Sequence, residues 1–313
     1  MSAGAAARHW GAVGSPRLIK DRENAVYEIA LPCGGRAALR LHRPGYQSIG
    51  AIRSELWWMT RLAEAGIAVP KPIPTHDGDL VAQVGGRLAS AVGWIDGDQI
   101  GDGATPLEPD AMAVDARYRA LGRLIAQMHD ATDALTLPPE FERQRWDRAA
   151  YLSEDPLWGR FWENPALSPQ ERATLLAARE QADDALARHE AAGADFGLIH
   201  ADVLRENVLA QDGRLSLIDF DDAGFGFRAY DLATAEVQGL EDPMNAVASL
   251  ALHEGYRAAR RPDAPPLGDV NLFVALRAFA SCGWVVTRAE PDDPRQRHYA
   301  ERALRAARSL VRA

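Results

Sequence analysis

Lysine is almost missing from this sequence: Lys20 and Lys71 are the only two among 35 basic side chains. A site that needs a fixed cation must therefore use arginine. Its planar fork clamps oxyanions through parallel donors but does not reproduce the geometry of an ammonium point charge. Cysteine is equally scarce. Cys33 and Cys282 stand far apart with no second pair, which argues against a disulfide framework or a cysteine zinc site and suits a reducing cytoplasm. No stretch reaches the roughly 18 apolar residues of a membrane span. The best candidate, NLFVALRAFASCGWVV, is interrupted by Arg277 and reads as a buried helix. The first residues, MSAGAAARHWGAVG, lack the continuous apolar core of a signal peptide. Positive charge is not in excess either. A net charge of −9 argues against a nucleic-acid surface as the main business of the chain.

What is present is an ordinary globular composition, 47% hydrophobic and 25% charged, in a chain of 313 residues that suits two lobes better than one core. Its chemistry is concentrated in residues 198–224, LIHADVLRENVLAQDGRLSLIDFDDAG, which hold His200, Asp202, Asn207, Asp219 and Asp221. Asp212-Gly213 is the preferred pair for a tight type I′ hairpin between two short apolar runs. Ile218 and Phe220 flank Asp219 as strand residues would. Such a hairpin brings Asn207 and Asp219 together. Two converging oxygen donors are what magnesium needs, because it takes one or two protein ligands and completes its shell with phosphate oxygens and water.

The order His200-x-Asp202-x-x-x-x-Asn207, followed by Asp219-Phe220-Asp221, resembles the catalytic and metal loops of the protein-kinase-like fold. His-Ala-Asp in place of His-Arg-Asp, Asp-Phe-Asp in place of Asp-Phe-Gly, and the flanking IDFDDAGFGFRAYDLA resemble the aminoglycoside phosphotransferase and choline kinase superfamily. Its bacterial branch of homoserine kinase type II and stress-response kinases is the most similar. The resemblance implies an α+β fold of the protein-kinase-like, two-lobed kind: a small antiparallel-sheet lobe with one main helix over residues 1–94, a hinge at 95–98, and a larger, mostly helical lobe over 99–313. It implies ATP and Mg2+ as cofactors and Asp202 as the residue that receives the acceptor proton. Asn207, Asp219 and Asp221 are implied as metal ligands, with His200 and Asp231 as structural supports of the catalytic loop.

The N-terminal pattern suits that expectation. Residues 24–31 and 37–42 alternate as strands around the turn cluster Pro32-Cys-Gly-Gly, placing Ala38, Arg40 and His42 on one face and Ala37, Leu39 and Leu41 on the other. The family's phosphate-binding lysine falls here on Arg40. Residues 48–66 read as a helix closed by Gly66, and the resemblance assigns its Glu55 to an ion pair with Arg40. Because SPRLIKDRENAVYEI has no G-x-G-x-x-G, a polar turn near Arg22 to Ala25 must cover the phosphates instead. Two more strands are expected at 80–84 and 87–94. By resemblance, residues 93–98, including Gly93, Trp94 and Ile95, offer backbone to an adenine edge, and Val26, Ala38, Leu209 and Ile218 sandwich the base.

Further on, helices are expected over 115–132, 169–192, 273–287 and 294–311. Gly122 permits close helix packing, and His129 reads as a structural histidine. Trp146, Trp158, Phe161 and Trp162 read as core before they read as a substrate wall. The function these features imply is transfer of the ATP γ-phosphoryl group to a hydroxyl of a small molecule: an amino alcohol, homoserine-like compound, aminosugar or aminoglycoside. Two alternatives stand beside it, a stress-response protein serine/threonine kinase and a nucleotide-binding pseudokinase without turnover.

Overall fold

The computed structural model describes residues 3–21 and 24–310. In chain order these form α1 (Ala3–Ala7), β1 (Val13–Asp21), β2 (Ala25–Ala30), β3 (Arg36–Leu41), α2 (Ile49–Glu64), β4 (Pro72–Ile73), β5 (Val81–Val84), β6 (Arg87–Gly93) and β7 (Asp98–Gln99). There follow α3 (Ala111–Asp133), β8 (Arg145–Trp146), α4 (Arg148–Leu152), α5 (Pro169–Ala191), β9 (Phe196–Ile199), β10 (Val208–Gln211), β11 (Arg214–Leu217) and β12 (Gly224–Phe227). Helices α6 (Ala229–Val237), α7 (Asn245–Ala259), α8 (Val270–Val286) and α9 (Pro294–Leu310) close the chain.

Two compact units emerge, one within residues 1–100, 130–143 and 206–221, the other within 101–129, 144–205 and 222–313. The first is built on a mainly antiparallel sheet in the order β1-β2-β3-β6-β4, with β5 also on β6. The alternation of β3 turns Ala37, Leu39 and Leu41 into a core shared with Ala25, Ile29, Ala89 and Ala91. Ala6, Ala7 and Trp10 complete this core, a role for the N-terminal segment that its small, weakly patterned residues did not advertise. Helix α2 starts at Ser48, whose hydroxyl caps Ala51 N at 2.9 Å, and its Ile52, Leu56, Met59 and Leu62 are buried.

Segments from late in the chain join this unit through specific bonds. Trp58 Nε1 donates to Thr132 Oγ1 at 3.0 Å and Glu142 N to Ser54 Oγ at 2.9 Å. The β10–β11 hairpin pairs with β7, extended by a bond from Ile100 N to Val208 O at 3.0 Å. The division proposed from the sequence, 1–94, 95–98 and 99–313, follows the chain, whereas compactness groups 206–221 with the first hundred residues.

The second unit carries a small sheet in the order β8-β12-β9 and most of the helices. Helix α5 opens with a complete capping box between Ser168 and Glu171. A Cβ at Gly122 on α3 would collide with the carbonyl oxygen of Leu252 on α7, and one at Gly255 with that of Arg119, so these glycines let the two backbones touch. Trp146, Trp158, Phe161 and Trp162 are all buried, and Phe161 stacks on Phe279 with centroids 4.7 Å apart. Helix α8 is buried on nearly every side, and among the described residues no helix is long and apolar enough to cross a membrane.

Candidate functional site

Strand register sets the candidate site of the first unit. Arg40 stands on β3 opposite Val26 of β2 and Ser90 of β6, on the face opposite the Leu39 core. Its guanidinium donates from Nη1 to Glu55 Oε1 and from Nη2 to Asp219 Oδ1, both at 2.9 Å, and Nη1 lies 3.5 Å from Asp221 Oδ1. Glu55 comes from the buried face of α2, so a strand cation and a helix carboxylate are brought together. A second arginine supports the pair. Arg143 Nη1 sits 3.5 Å from Glu55 Oε2 and donates to Ala51 O at 3.1 Å, while Nη2 donates to the carbonyls of Phe220 and Asp221 at 3.2 and 2.6 Å.

Burial works against the Arg40 charge, but the carboxylates of Glu55, Asp219 and Asp221 outweigh it and hold the guanidinium firmly protonated. Burial pushes the Glu55 and Asp221 carboxyls up, against the pull of Arg40 and Arg143. His42, just past β3, is buried and shares a 2.8 Å hydrogen bond with Ser90 Oγ. Burial, reinforced by Arg40, Arg143 and Arg87, pushes its pKa down from 6.5 to about 3. An unfolded chain takes up this proton near pH 6.5 and the folded chain only near pH 3, so stability is lost as pH falls through that window. At pH 5 the loss is about 2 kcal/mol. Urea titrations at pH 7 and pH 5 should show it, and His42→Asn should flatten that difference.

Arg40 and Glu55 open onto a cavity of 470 Å³ that lies wholly within the first unit. Val26, Ala38, Leu209 and Ile218, the expected base sandwich, line it, as do Gly93, Trp94 and Ile95. Gly93 N and Trp94 N already donate to Lys71 O (2.8 Å) and Arg36 O (3.1 Å), so a backbone donor to a base must come from beyond Trp94. Met59, Pro70 and Val92 extend the apolar wall, with the Ser90 hydroxyl beside them; none of the four was assigned in the sequence reading, because their local patterns mark them only as packing residues. Of the polar turn expected to cover phosphates, Arg22 and Glu23 lie outside the described residues. Asn24 Nδ2 donates to Asp221 Oδ2 at 2.9 Å.

The hairpin delivers the oxygen donors. Asp212 and Gly213 both have positive φ, 49° and 75°, as a type I′ turn requires, and Gln211 faces Arg214 across it. At the hairpin root Ile218 N donates to Asn207 O at 2.9 Å, and the side chains of Asn207 and Asp219 both line the cavity. The expected strand through Asp219 ends instead at Leu217. Asp219 has φ 67°, a left-handed conformation that breaks the extended run and re-aims the side chain. Asp221 stands apart from the other two expected ligands. It is not among the cavity-lining residues, and its carboxylate is engaged by Asn24 and Arg40. No cluster of three or more His, Cys, Asp or Glu side chains among the described residues forms a metal cage. One amide and one carboxylate on a cavity wall suit a magnesium ion that arrives with phosphate oxygens.

The catalytic-loop residues expected from the sequence lie in the second unit. Asp231, buried on α6, accepts from His200 N at 2.9 Å and Ala201 N at 2.7 Å, and His129 Nε2 lies 3.0 Å from the same carboxylate. His129 Nδ1 in turn meets Tyr256 Oη at 2.9 Å. Ala201 is held at φ 63°, which turns the chain sharply before Asp202. Asp202 N is 3.3 Å from His200 Nδ1, and Asp202 Oδ1 accepts from Arg277 Nη2 at 2.7 Å. Arg277 and Arg143 are the residues that sequence reasoning passed over. Arg143 had no local signal, whereas Arg277 had one, a lone charge in an otherwise apolar helix.

A strand cation paired with a helix glutamate, beside an Asn and an Asp on one cavity wall of the first unit, suits phosphate and its cation. The chain belongs to the phosphotransferase enzyme family, whose model matches residues 16–264. It is 31% identical to a homoserine kinase of Sinorhizobium fredii over 244 residues, 74% of this chain and 68% of the relative. Among solved structures it is similar to a microcompartment-associated aminopropanol kinase (27% identity, TM-score 0.82, covering 99% of this chain and 96% of the other). An amicoumacin kinase solved in complex with AMP-PNP and Ca2+, at 20% identity and TM-score 0.76 over 98% and 91% of the two chains, shares the fold. The α+β, protein-kinase-like architecture expected from the sequence is therefore that of the chain.

Proposed function

We propose that this protein transfers the γ-phosphoryl group of ATP, with magnesium, to the hydroxyl of a small amino alcohol or homoserine-like acceptor. The observation that carries the reading is the convergence of Arg40, Asn207 and Asp219 on one 470 Å³ cavity walled by Val26, Ala38, Leu209 and Ile218. This combines an apolar slot for a flat base with charge complementary to phosphates and their cation. The similarity to kinases of homoserine and aminopropanol supports the acceptor class.

Phosphoryl transfer is mostly positioning and charge neutralisation. Arg40 clamps phosphate oxygens while Glu55 and Arg143 hold its fork in place. Asn207 and Asp219 hold the magnesium, which when bound neutralises the phosphate charge. Asp221, buried against Asn24 and Arg40, positions the arginine and serves at most a water of the ion's shell. Asp202 accepts the hydrogen bond of the acceptor hydroxyl, aligns it and takes its proton, and Asp231 keeps the loop rigid behind it. A panel of amino alcohols, homoserine, choline, aminosugars and aminoglycosides, assayed for ADP release with phosphorylated product identified by mass, tests the reading. A strong signal from one small acceptor is expected. Thermal stabilisation by magnesium–ATP with no product from any acceptor would favour the non-turnover reading, and no stabilisation at all would sink nucleotide binding itself.

A further inference from the structure

We propose that Arg277 is a positioning residue for Asp202: it occupies one carboxylate oxygen so that the other is presented, ionised and in one orientation, to the acceptor hydroxyl. The inference rests on the role proposed above for Asp202 and adds a residue from a helix 75 positions further along the chain.

Helix α8 is apolar on nearly all sides, and its Arg277 is 3% exposed. An unpaired guanidinium there would be strongly unfavourable, so its presence demands a partner. The partner is Asp202, with Nη2 to Oδ1 at 2.7 Å. The Arg277 Cζ lies over the Trp158 ring, 4.6 Å from the centroid, a cation–π contact that helps hold the charged group in place. Tyr230, also buried, is a second hydrogen-bonding neighbour of the guanidinium. The Arg277 bond to Asp202 falls on one oxygen of a carboxylate whose side chain keeps 17% exposure. Other groups facing this pair within the unit are His200, which meets Asp202 N, and Tyr230, Asp222, Tyr151 and Arg302, which interact electrostatically with Arg277. Burial opposes the charge on Arg277, and Tyr230 and Asp202 more than offset it, so the cation persists across the working pH range.

Two consequences separate positioning from plain packing. A carboxylate with one oxygen pinned cannot rotate its second oxygen away from the acceptor, so losing the pin lowers kcat more than it changes nucleotide affinity. A cation in direct contact also favours the ionised base, so losing it moves the acid limb of the rate profile to higher pH. Arg277→Met removes the charge while filling most of the volume.

The experiment measures steady-state kinetics against pH for the full chain and for R277M and R277K, with magnesium–ATP and the acceptor identified by the panel. Carboxyl 13C NMR of aspartate-labelled protein runs alongside, with the Asp202 resonance assigned through D202N. R277M is expected to lose roughly 100-fold in kcat, with its ATP KM changed less than about twofold and its acid limb raised by about one pH unit or more. R277K should leave the limb near its original place and recover part of the rate. An R277M protein whose limb stays in place and whose rate loss only follows its folded fraction would overturn the proposal. Should R277M fail to fold, the wild-type carboxyl titration decides: an Asp202 resonance titrating below the ordinary aspartate range supports the pairing, and one within or above that range overturns it. A wild type that phosphorylates nothing defeats the function reading, while the same titration still reports on Arg277 and Asp202.

Discussion

Asp202→Asn is expected to bind magnesium–ATP as the wild type does while kcat falls about 1,000-fold, at the scale of a lost general base. The substitution is nearly isosteric, so the loop strapped by Asp231 should keep its form. Chemically the change is larger than its size suggests. Arg277 Nη2 donates to Oδ1 of the side chain and will draw the amide oxygen of the asparagine to itself. The amide NH2 is then left toward the acceptor hydroxyl, where an acceptor is needed. Nucleotide binding, followed by thermal shift, should be unaffected because the 470 Å³ cavity is lined without Asp202. Turnover equal to wild type would sink the role given to this residue.

Arg40→Ala is expected to affect both stability and nucleotide use. Glu55, Asp219 and Asp221 all depend on this guanidinium, and its removal leaves Arg143 as the remaining cation beside Glu55. Breaking a buried pair from one side costs about 3 kcal/mol, to be read from a urea midpoint at pH 7.5. The cost should shrink as pH falls, because burial already raises the Glu55 and Asp221 carboxyls and without Arg40 they protonate at still higher pH. The apparent KM for ATP should rise at least about tenfold, as one charged phosphate contact is lost. Arg40→Lys restores a charge but cannot reach Glu55 and Asp219 with two parallel donors, so it should recover stability better than KM. An unchanged KM in the alanine variant would mean that another cation handles the phosphates.

Much of the chain's local form was legible because it depends on neighbours in sequence. The Asp212-Gly213 turn, the Ser168 cap, the alternation of β3 and the periodicity of α8 all follow from a few adjacent residues. The strand expected through Asp219 failed for a local reason as well, since its left-handed φ cannot be read from side-chain alternation. Long-range partners were a different matter. Arg143 carries no motif, and its role depends on residues 130–143 packing beside α2. The N-terminal segment carries small residues without a strong pattern, and only the fold brings Ala6, Ala7 and Trp10 into the sheet core.

By itself, then, the sequence determined the kinds of chemistry available: acids and an amide at fixed spacing along a loop and hairpin, and an arginine on the strand where the resemblance expects a lysine. Only the tertiary structure decided which oxygen meets which donor. Arg40 is tied to Asp219 across 179 positions and Arg277 to Asp202 across 75. Such pairings follow from helix and strand packing, which the patterns of hydrophobic and polar residues permit in many arrangements and the burial of a charge resolves into one.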